Sequence, residues 1–161
     1  KKIKKIRDHG RKSKGSYLFD EIGTNFRTNE LQSAIGISQL NKIEKFIEKR
    51  IRIATLYRKN ITNLSFQEIP IHVTRHPYMM FFAFAKDKKT RNKLVKFLNK
   101  NGIGARLPWA PIHLQPCNSE MHKIKNEKSE FVFNTSLILP MYNNMTIKDA
   151  KFVIKHIENF K

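Results

Sequence analysis

The chain has 161 residues, 40% of them hydrophobic and 11% aromatic, and it carries 32 Lys and Arg against 13 Asp and Glu. The length suits one domain of ordinary size, and the apolar content excludes a disordered chain. No apolar run approaches the ~20 residues of a membrane span. The single Cys117 excludes an internal disulfide, so we expect a reducing, cytoplasmic location.

The formal net charge of +19 predicts attraction to polyanions, and to nucleic acid first. Basic residues are nevertheless scattered through every segment, and only residues 1–14 form a dense cluster. No zinc-finger spacing, RNP motif or basic zipper accompanies them. The charge is better explained by a Lys-rich proteome together with the absence of a more acidic part of the same protein. A polyanion-binding or nucleic-acid-binding module is kept as an alternative function.

The chain begins with Lys-Lys-Ile-Lys-Lys-Ile-Arg instead of Met, a run typical of the middle of a helix. We therefore expect that a preceding part is absent. Ile3 and Ile6 have helical spacing and Gly10 is a good helix terminator, which predicts a short helix over residues 1–8. A loop rich in Lys, Ser and Gly follows over 11–20.

A polar turn precedes the next helix. Gly23 supplies a flexible backbone, Asn25 tolerates turn geometry, and Arg27 adds a cation. Thr28 is expected to cap the helix by accepting a backbone N–H, with Glu30 favoured by the helix dipole. A cationic turn at a helix N-terminus suits an anion, although a well-capped helix start accounts for the same residues.

Apolar residues recur at three- and four-residue steps from Asn29 to about Asn60, which predicts one long helix. At 1.5 Å per residue this helix would be roughly 45 Å long, more than the diameter of a small domain. We therefore expect residues 29–60 to connect two bodies. Small side chains in residues 33–38 would allow close packing by another helix or subunit.

The remaining residues predict an α+β layer pair. Three prolines make the loop over residues 108–116 rigid and exclude regular structure there. The predicted elements are, in order, a central strand over 78–85, a helix capped by Asp87 or Thr90, a strand over 103–107, a short helix and a strand over 131–139, and a last helix opened by Thr146.

No catalytic constellation is complete in the sequence, because a Gly-rich phosphate loop, paired cysteines and histidines at metal-ligand spacing are all missing. Metal ligands are therefore not predicted. His113 follows Arg106 and Trp109 into the proline-rich loop, an arrangement typical of a substrate wall, although an ordinary surface histidine explains it equally well. His9 fits the end of a helix better than a ligand position.

Several motifs, in this order, resemble the DegT/DnrJ/StrS family of sugar aminotransferases. His9-Gly10 and Gly23-Thr-Asn25-Phe-Arg27 resemble the family's H-G and G-x-N-x-R, and the following helix resembles its E-L-x-A-A-x-G-x-x-Q-L. Gly102-Ile-Gly-Ala-Arg106 and Trp109-Ala-Pro-Ile-His113-Leu-Gln-Pro116 resemble G-I-x-x-R and P-x-H-x-Q-P, and Leu139-Pro140 resembles the closing L-P. Together these matches span nearly the whole chain.

The family depends on pyridoxal phosphate and has the aspartate-aminotransferase fold. The resemblance implies an α/β protein, namely the α+β small domain of a fold type I enzyme with a long connecting helix. Residues 1–28 would end the large cofactor domain, residues 29–60 would form the connecting helix, and residues 61–161 would form the C-terminal small domain. The Schiff-base lysine is expected upstream of Lys1, so no catalytic residue is assigned and the chain alone is expected to be inactive.

The resemblance also assigns binding residues. Asn25 matches the asparagine that reaches the cofactor phosphate of the neighbouring subunit, and Arg27 matches the adjacent arginine. His113 and Arg106 match positions near the sugar-nucleotide site, and Trp109 stands where many members have Tyr. His9, from the H-G motif, completes the substrate-binding candidates.

The function implied is the C-terminal portion of an aminotransferase that moves an amino group to a keto-sugar nucleotide, with glutamate as the expected donor, in cell-surface polysaccharide or amino-sugar biosynthesis. Residues 17–40 would supply homodimer contacts. A sugar-nucleotide dehydratase of the same family, in which another residue replaces the Schiff-base lysine, stays open beside the polyanion-binding module. Neither a membrane nor nucleic acid is expected as a partner.

Overall fold

Helix α1 (Lys2–Arg7) opens the computed structural model, which describes residues 2–160 and divides into two units, one ending at Ile43 and the other beginning at Glu44. The Gly10 N–H donates to the Lys5 carbonyl at 2.8 Å and closes the helix. Gly10 has a φ of +74°, which glycine adopts without strain. The predicted helix stop at Gly10 is confirmed.

The basic loop after α1 is a small hairpin. Arg11 and Phe19 form an antiparallel bridge at its base. The Ser16 N–H donates to the Ser13 carbonyl at 3.1 Å across a turn in which Gly15 has a φ of +80°. The lysines of this loop therefore lie on a hydrogen-bonded hairpin.

Helix α2 (Glu30–Leu40) is capped by Asn29, so the prediction of Thr28 as the cap is wrong. The Asn29 side chain accepts the Gln32 N–H at 2.8 Å, and the Gln32 side chain accepts the Asn29 N–H at 3.2 Å. The hydroxyl of Thr28 instead lies 3.3 Å from that of Ser33. Asn is at least as good a capping residue as Thr. Capping by Asn29 also allows the reciprocal hydrogen bond with Gln32, and this second bond favours Asn29 over Thr28 as the cap.

Two helices, α2 and α3 (Ile43–Asn60), replace the single helix predicted over residues 29–60. The Lys42 N–H donates to the Gln39 carbonyl at 3.0 Å, and this i→i+3 bond tightens and ends the last turn of α2. The apolar periodicity runs on through this turn, so the sequence pattern alone does not reveal the interruption.

The second unit contains a three-stranded antiparallel sheet. After α3 its elements are β1 (Ser65–Phe66), β2 (Phe81–Phe84), α4 (Lys88–Lys100), two 3₁₀ helices (Ile112–Leu114 and Pro116–Met121), α5 (Glu127–Thr135), β3 (Ser136–Leu139) and α6 (Ile147–Glu158). The prediction that the proline-rich loop contains no regular structure is wrong, because a single 3₁₀ turn fits between its prolines. The strand order is β1–β2–β3, which confirms the prediction of a central strand from the apolar run in β2. No helix within residues 2–160 is both long and apolar enough to cross a membrane.

Most predicted boundaries in this unit are confirmed. Asp87 caps α4 by accepting the Thr90 N–H at 2.7 Å, and Thr146 and Asp149 form the predicted capping box of α6. Strand β2 begins later than predicted because Tyr78, with a φ of +45°, leaves the extended conformation.

The strand predicted over 103–107 is wrong. Within the described chain, Arg106 forms a single β-bridge with Ile138 and no ladder develops around it. The Ala105 N–H donates to the Ile103 carbonyl at 2.7 Å, and this local i→i+2 bond takes up a backbone donor that strand pairing would need.

The core of the second unit is formed by side chains from α3, α4, α6 and the two longer strands. Tyr57 is fully buried, and its hydroxyl donates to the Pro140 carbonyl at 3.0 Å. Arg91 is only 1% exposed and donates to the carbonyls of Phe133 and Ser136 at 3.0 and 3.1 Å. This guanidinium therefore ties α4 to the junction of α5 and β3, and burial lowers its pKa.

Candidate functional site

Gly10 and Gly23 of the first unit pack backbone against backbone, and we call this the glycine contact. A Cβ added to Gly23 would collide with the backbone of Gly10, Ile6 and His9. The approach is held by hydrogen bonds from the Thr24 N–H to the Ile6 carbonyl at 3.0 Å and from the His9 N–H to the Thr24 carbonyl at 3.2 Å. The H-G and G-x-N-x-R motifs are therefore in direct contact through positions that only glycine can occupy.

This packing brings Asn25 and Arg27 beside Asp8. Asn25 forms a backbone bridge with Asp8, and the Arg27 guanidinium donates to the Asp8 carboxylate. The Arg27 hydrogen bond holds the pKa of Asp8 below its ordinary value, so Asp8 is ionised at neutral pH. The Asn25 side chain is exposed and forms no hydrogen bond with any residue of the described chain.

A basic cleft of about 720 Å³ lies in the same unit. We use the term basic cleft for this open depression, which is bordered by α1, the hairpin and Arg27. Seven cations and one carboxylate, Asp8, line it; the cations are Lys4, Lys5, Arg7, Arg11, Lys12, Lys14 and Arg27. The sequence showed the cluster over residues 1–14, whereas the structure shows that it is concave. Arg27, from beyond the hairpin, completes the lining.

His9 lies beside this cleft in sequence but is not part of its lining. It is half-buried and has a φ of +60°, an uncommon conformation for a residue other than glycine. Its N–H is committed to the Thr24 carbonyl. The structure thus places His9 in the turn that joins the two motifs.

In the second unit, His113 is buried, with 7% of its surface exposed. Its Nε2 lies 3.1 Å from Oε1 of Glu130. The Asn126 N–H, followed by the His113 ring, holds the pKa of Glu130 below its ordinary value. Because the ionised carboxylate can only accept, the ring nitrogen facing it is the protonated Nε2.

His113 lines a cavity of about 520 Å³ between the proline-rich loop and α5. Trp109 forms another part of its wall, with its ring largely exposed. Asn126, Lys128 and Ser129 add polar groups from the start of α5. Apolar walls with a few polar groups are typical of a site for a small polar molecule.

Arg106 lines a different cavity, of about 470 Å³, together with Tyr142 and the end of β3. Trp109 contributes to both cavities, whereas Arg106 and His113 do not share one. The sequence analysis grouped Arg106, Trp109 and His113 in one site. In the structure Trp109 shares a cavity with each of the other two, but Arg106 and His113 line different cavities.

Glu130 is the functional candidate that sequence reasoning missed. The capping-box pattern does not point to it, because Glu130 lies one residue beyond the N3 position counted from the N-cap Asn126. Glu130 does accept the Asn126 N–H, at 3.2 Å. The contact with His113 has no sequence signal, because the two residues come from separate segments.

Comparison with known proteins relates these features to a family. The sequence pattern of the DegT/DnrJ/EryC1/StrS aminotransferase family matches residues 1–158. The UDP-4-amino-4,6-dideoxy-N-acetyl-beta-L-altrosamine transaminase of Campylobacter jejuni is 32% identical to this chain over 162 residues. The GDP-perosamine synthase of Escherichia coli O157:H7 is 27% identical over 148 residues. These matches cover 94% and 89% of this chain, which spans only 42% and 39% of the two relatives.

Solved structures agree with the sequence comparison. A DegT DnrJ EryC1 StrS aminotransferase from Brucella abortus matches with a TM-score of 0.85 at 25% identity, over 99% of this chain and 42% of its own. Helicobacter pylori PseC, an aminotransferase involved in the biosynthesis of pseudoaminic acid, matches with a TM-score of 0.82 at 23% identity, over 98% of this chain and 44% of its own. The predicted combination of helices and a small sheet is confirmed as the fold of these proteins.

Proposed function

The chain belongs to the DegT/DnrJ/EryC1/StrS aminotransferase family, and on this premise we propose that it forms part of an enzyme that aminates a keto-sugar nucleotide. The carrying observation is the family match over residues 1–158. The relatives named as an altrosamine transaminase and a perosamine synthase support a UDP- or GDP-linked sugar as the substrate. Glutamate would lose its amino group to become 2-oxoglutarate, and the sugar ketone would become an amine. The product would serve amino-sugar or cell-surface polysaccharide biosynthesis in the cytoplasm.

We further propose the division of labour along the chain. Residues 1–28 would form the end of the large cofactor domain, and residues 61–161 would form the small domain. Residues 29–60 would connect these two domains. No lysine here occupies a family motif for the Schiff base, so that lysine would come from sequence outside this chain. The exposed apolar side chains of α2 support homodimer contacts through residues 17–40; they are Leu31, Ile35, Ile37 and Leu40.

The residues at the glycine contact fit a cofactor phosphate. The Asn25 amide can donate an N–H, and Arg27 offers guanidinium donors of the kind that bind phosphate oxygens. Asn25 has no competing bond in the described chain, while Asp8 fixes the direction of Arg27. Both residues would hold the phosphate of pyridoxal phosphate in the neighbouring subunit. Pyridoxal phosphate, when bound, would supply an electron sink and would also carry the amino group between the two substrates.

The cavity around His113 supports a wall of the sugar site. Trp109 offers an exposed ring against which the apolar face of a sugar can pack. Glu130 fixes the orientation of His113, and the proline-rich loop around it limits movement. Arg106, in the adjacent cavity, would hold a negative group of the substrate. The contribution of these residues is to bind and orient the substrate and to exclude water.

The test assays the enzyme of which this chain is part, with nitrogen-labelled glutamate and a UDP- or GDP-linked keto-sugar. We expect the label in the sugar product and an equal amount of 2-oxoglutarate. Absence of label from the sugar, in cofactor-loaded enzyme and over a panel of keto-sugar nucleotides, would overturn the proposal. Loss of water from the sugar without transfer of nitrogen would identify a dehydratase instead.

A further inference from the structure

We propose that the exposed face of α4 and α6 binds the surface of a membrane that contains anionic lipids, with aromatic side chains entering the headgroup region between lysines. We call this surface the lysine face. Its eight exposed lysines belong to these two helices; they are Lys88, Lys89, Lys93, Lys96, Lys100, Lys148, Lys151 and Lys155. None of them lines the basic cleft or the cavities around His113 and Arg106, so this inference stands apart from the proposed function.

The lysines of each helix lie together on one side of it. Lys89, Lys93 and Lys96 are spaced by four and three residues and line one open depression along α4. Lys151 and Lys155 are four residues apart on α6 and are both exposed. Residues at these steps are neighbours on the surface of a helix, so each of the two helices presents a basic side.

Aromatic side chains join the two basic sides. The ring centroid of Phe97, on α4, lies 6.4 Å from that of His156 and 5.5 Å from that of Phe160. The His156 ring also packs against Phe152, one turn earlier on α6, at 4.2 Å, and Phe152 is 49% exposed. Because Lys93 lies one turn before Phe97, the rings and the lysines belong to one continuous surface. The sequence predicted no membrane partner, since only the fold brings these two distant segments together.

The charge of the lysine face is not balanced within the unit. No carboxylate of residues 2–160 forms an ion pair with any of its lysines. Helix α4 contains no Asp or Glu. The two carboxylates of α6 are engaged elsewhere, because Asp149 accepts the Thr146 N–H and Glu158 accepts the Thr62 N–H, both at 2.8 Å. The lysines therefore repel one another, and an anionic surface laid against them would relieve that repulsion.

The kind of cation favours a lipid surface over a protein or a nucleic acid. The exposed basic residues of both helices, apart from His156, are all lysines, and the single arginine, Arg91, is buried. Arginine is preferred where phosphates or bases are bound in a fixed geometry, and lysine is depleted from protein–protein interfaces. Clusters of lysines on an amphipathic helix are typical of binding to anionic lipids, and exposed phenylalanine adds apolar contact at the depth of the headgroups.

The test measures cosedimentation of the full 161-residue chain with lipid vesicles at physiological ionic strength. One set of vesicles contains phosphatidylcholine with about one third phosphatidylglycerol, and the other contains phosphatidylcholine alone. We expect binding to the mixed vesicles only. Lys93→Ala with Lys96→Ala, and separately Lys151→Ala with Lys155→Ala, should each weaken this binding by about tenfold or more, because each removes two charges from the lysine face.

Two controls match these variants. Lys45→Ala with Lys59→Ala removes two exposed lysines of α3 and should change binding by less than about twofold. Phe152→Ala should weaken binding by about threefold or more, whereas Phe131→Ala, at an exposed phenylalanine of α5, should leave it unchanged. Alanine is a better helix former than lysine or phenylalanine, so the helices should stay intact, and the melting temperature of each variant checks this.

Any other result contradicts the proposal. A loss in the α3 control equal to that in the lysine-face variants would mean generic attraction by the net charge. A loss in only one of the two lysine-face variants would mean that α4 and α6 do not act as one surface. Unchanged binding of Phe152→Ala would exclude contact between the aromatic rings and the lipid. Tighter binding to duplex DNA than to the mixed vesicles, lost in the same lysine variants, would assign the lysine face to nucleic acid.

Discussion

The Nε2 atom of His113 lies 3.1 Å from Oε1 of Glu130, and the same oxygen accepts the Asn126 N–H. One carboxylate thus joins the proline-rich loop to the first turn of α5. The contact fixes both the tautomer and the orientation of a buried ring in the wall of a cavity. It makes Glu130 a positioning residue for any ligand that His113 binds.

Glu130→Gln should remove a contribution to the folding stability of the second unit that depends on the ionised carboxylate of Glu130. The pKa of Glu130 is depressed below its ordinary value of 4.5, so its stabilising effect is present above that pH and is lost as pH falls through the folded pKa. Nearby His113 and Lys125 are cations or potential cations and act in the same direction. We expect the melting temperature of the wild type to fall more steeply than that of the variant below pH about 4.5.

Glu127→Gln is the matched control for this prediction, because Glu127 carries the same charge on the first turn of α5 and is exposed. Its pH profile should follow the wild type. If Glu127→Gln flattens the profile as much as Glu130→Gln does, the effect belongs to the helix dipole and the His113 contact contributes nothing measurable.

Arg91→Met should destabilise the second unit by about 2 kcal/mol. Methionine fills much of the space, but it leaves the carbonyls of Phe133 and Ser136 without their donor. Chemical denaturation measures the change, and Lys89→Met, on the exposed face of the same helix, should shift the free energy of unfolding by less than about 0.5 kcal/mol. Equal stability of Arg91→Met and the wild type would show that packing, and not these hydrogen bonds, holds the junction.

Gly23→Ala should open the glycine contact of the first unit, because its methyl group would collide with backbone atoms that cannot move independently. Hydrogen exchange at the Thr24 and Phe26 amides, which bond to the end of α1, should accelerate by at least about tenfold. Gly36→Ala is the control: its methyl group would meet no atom within 4 Å, and the change should stabilise α2 by about 0.5–1 kcal/mol. Unchanged exchange in Gly23→Ala would contradict the close approach.

Local signals in the sequence predicted much of the second unit. The apolar run of β2, the Asp87 cap and the Thr146 capping box each involve residues close in sequence, so short-range physical chemistry suffices. The strand predicted over 103–107 was wrong because a local turn competes with pairing there, and hydrophobicity does not report that competition.

The candidate sites were less accessible to prediction because they depend on distant contacts. The motif residues Gly10 and Gly23 could be read from the sequence, but their contact is a property of the fold. The same holds for Glu130, which no motif connects with His113. The cluster of basic residues over 1–14 can be recognised in the sequence. That these residues line a cleft follows only from the position of the hairpin beside α1.

Asn25→Ala, made in the proposed transaminase, should weaken retention of pyridoxal phosphate about tenfold or more, because the proposed hydrogen bond to the cofactor phosphate would be lost. The fold should be unaffected: within the described chain the Asn25 side chain forms no hydrogen bond, and its bridge to Asp8 uses the backbone, which alanine retains.

Cofactor retention is measured from the visible absorbance left after dialysis, and the melting temperature of cofactor-free protein serves as the fold readout. Asn144→Ala, a change at an exposed asparagine of the second unit, is the control and should alter neither quantity. Unchanged retention in Asn25→Ala would remove Asn25 from the phosphate site, and a lowered melting temperature in that variant would mean that the residue acts by supporting the turn.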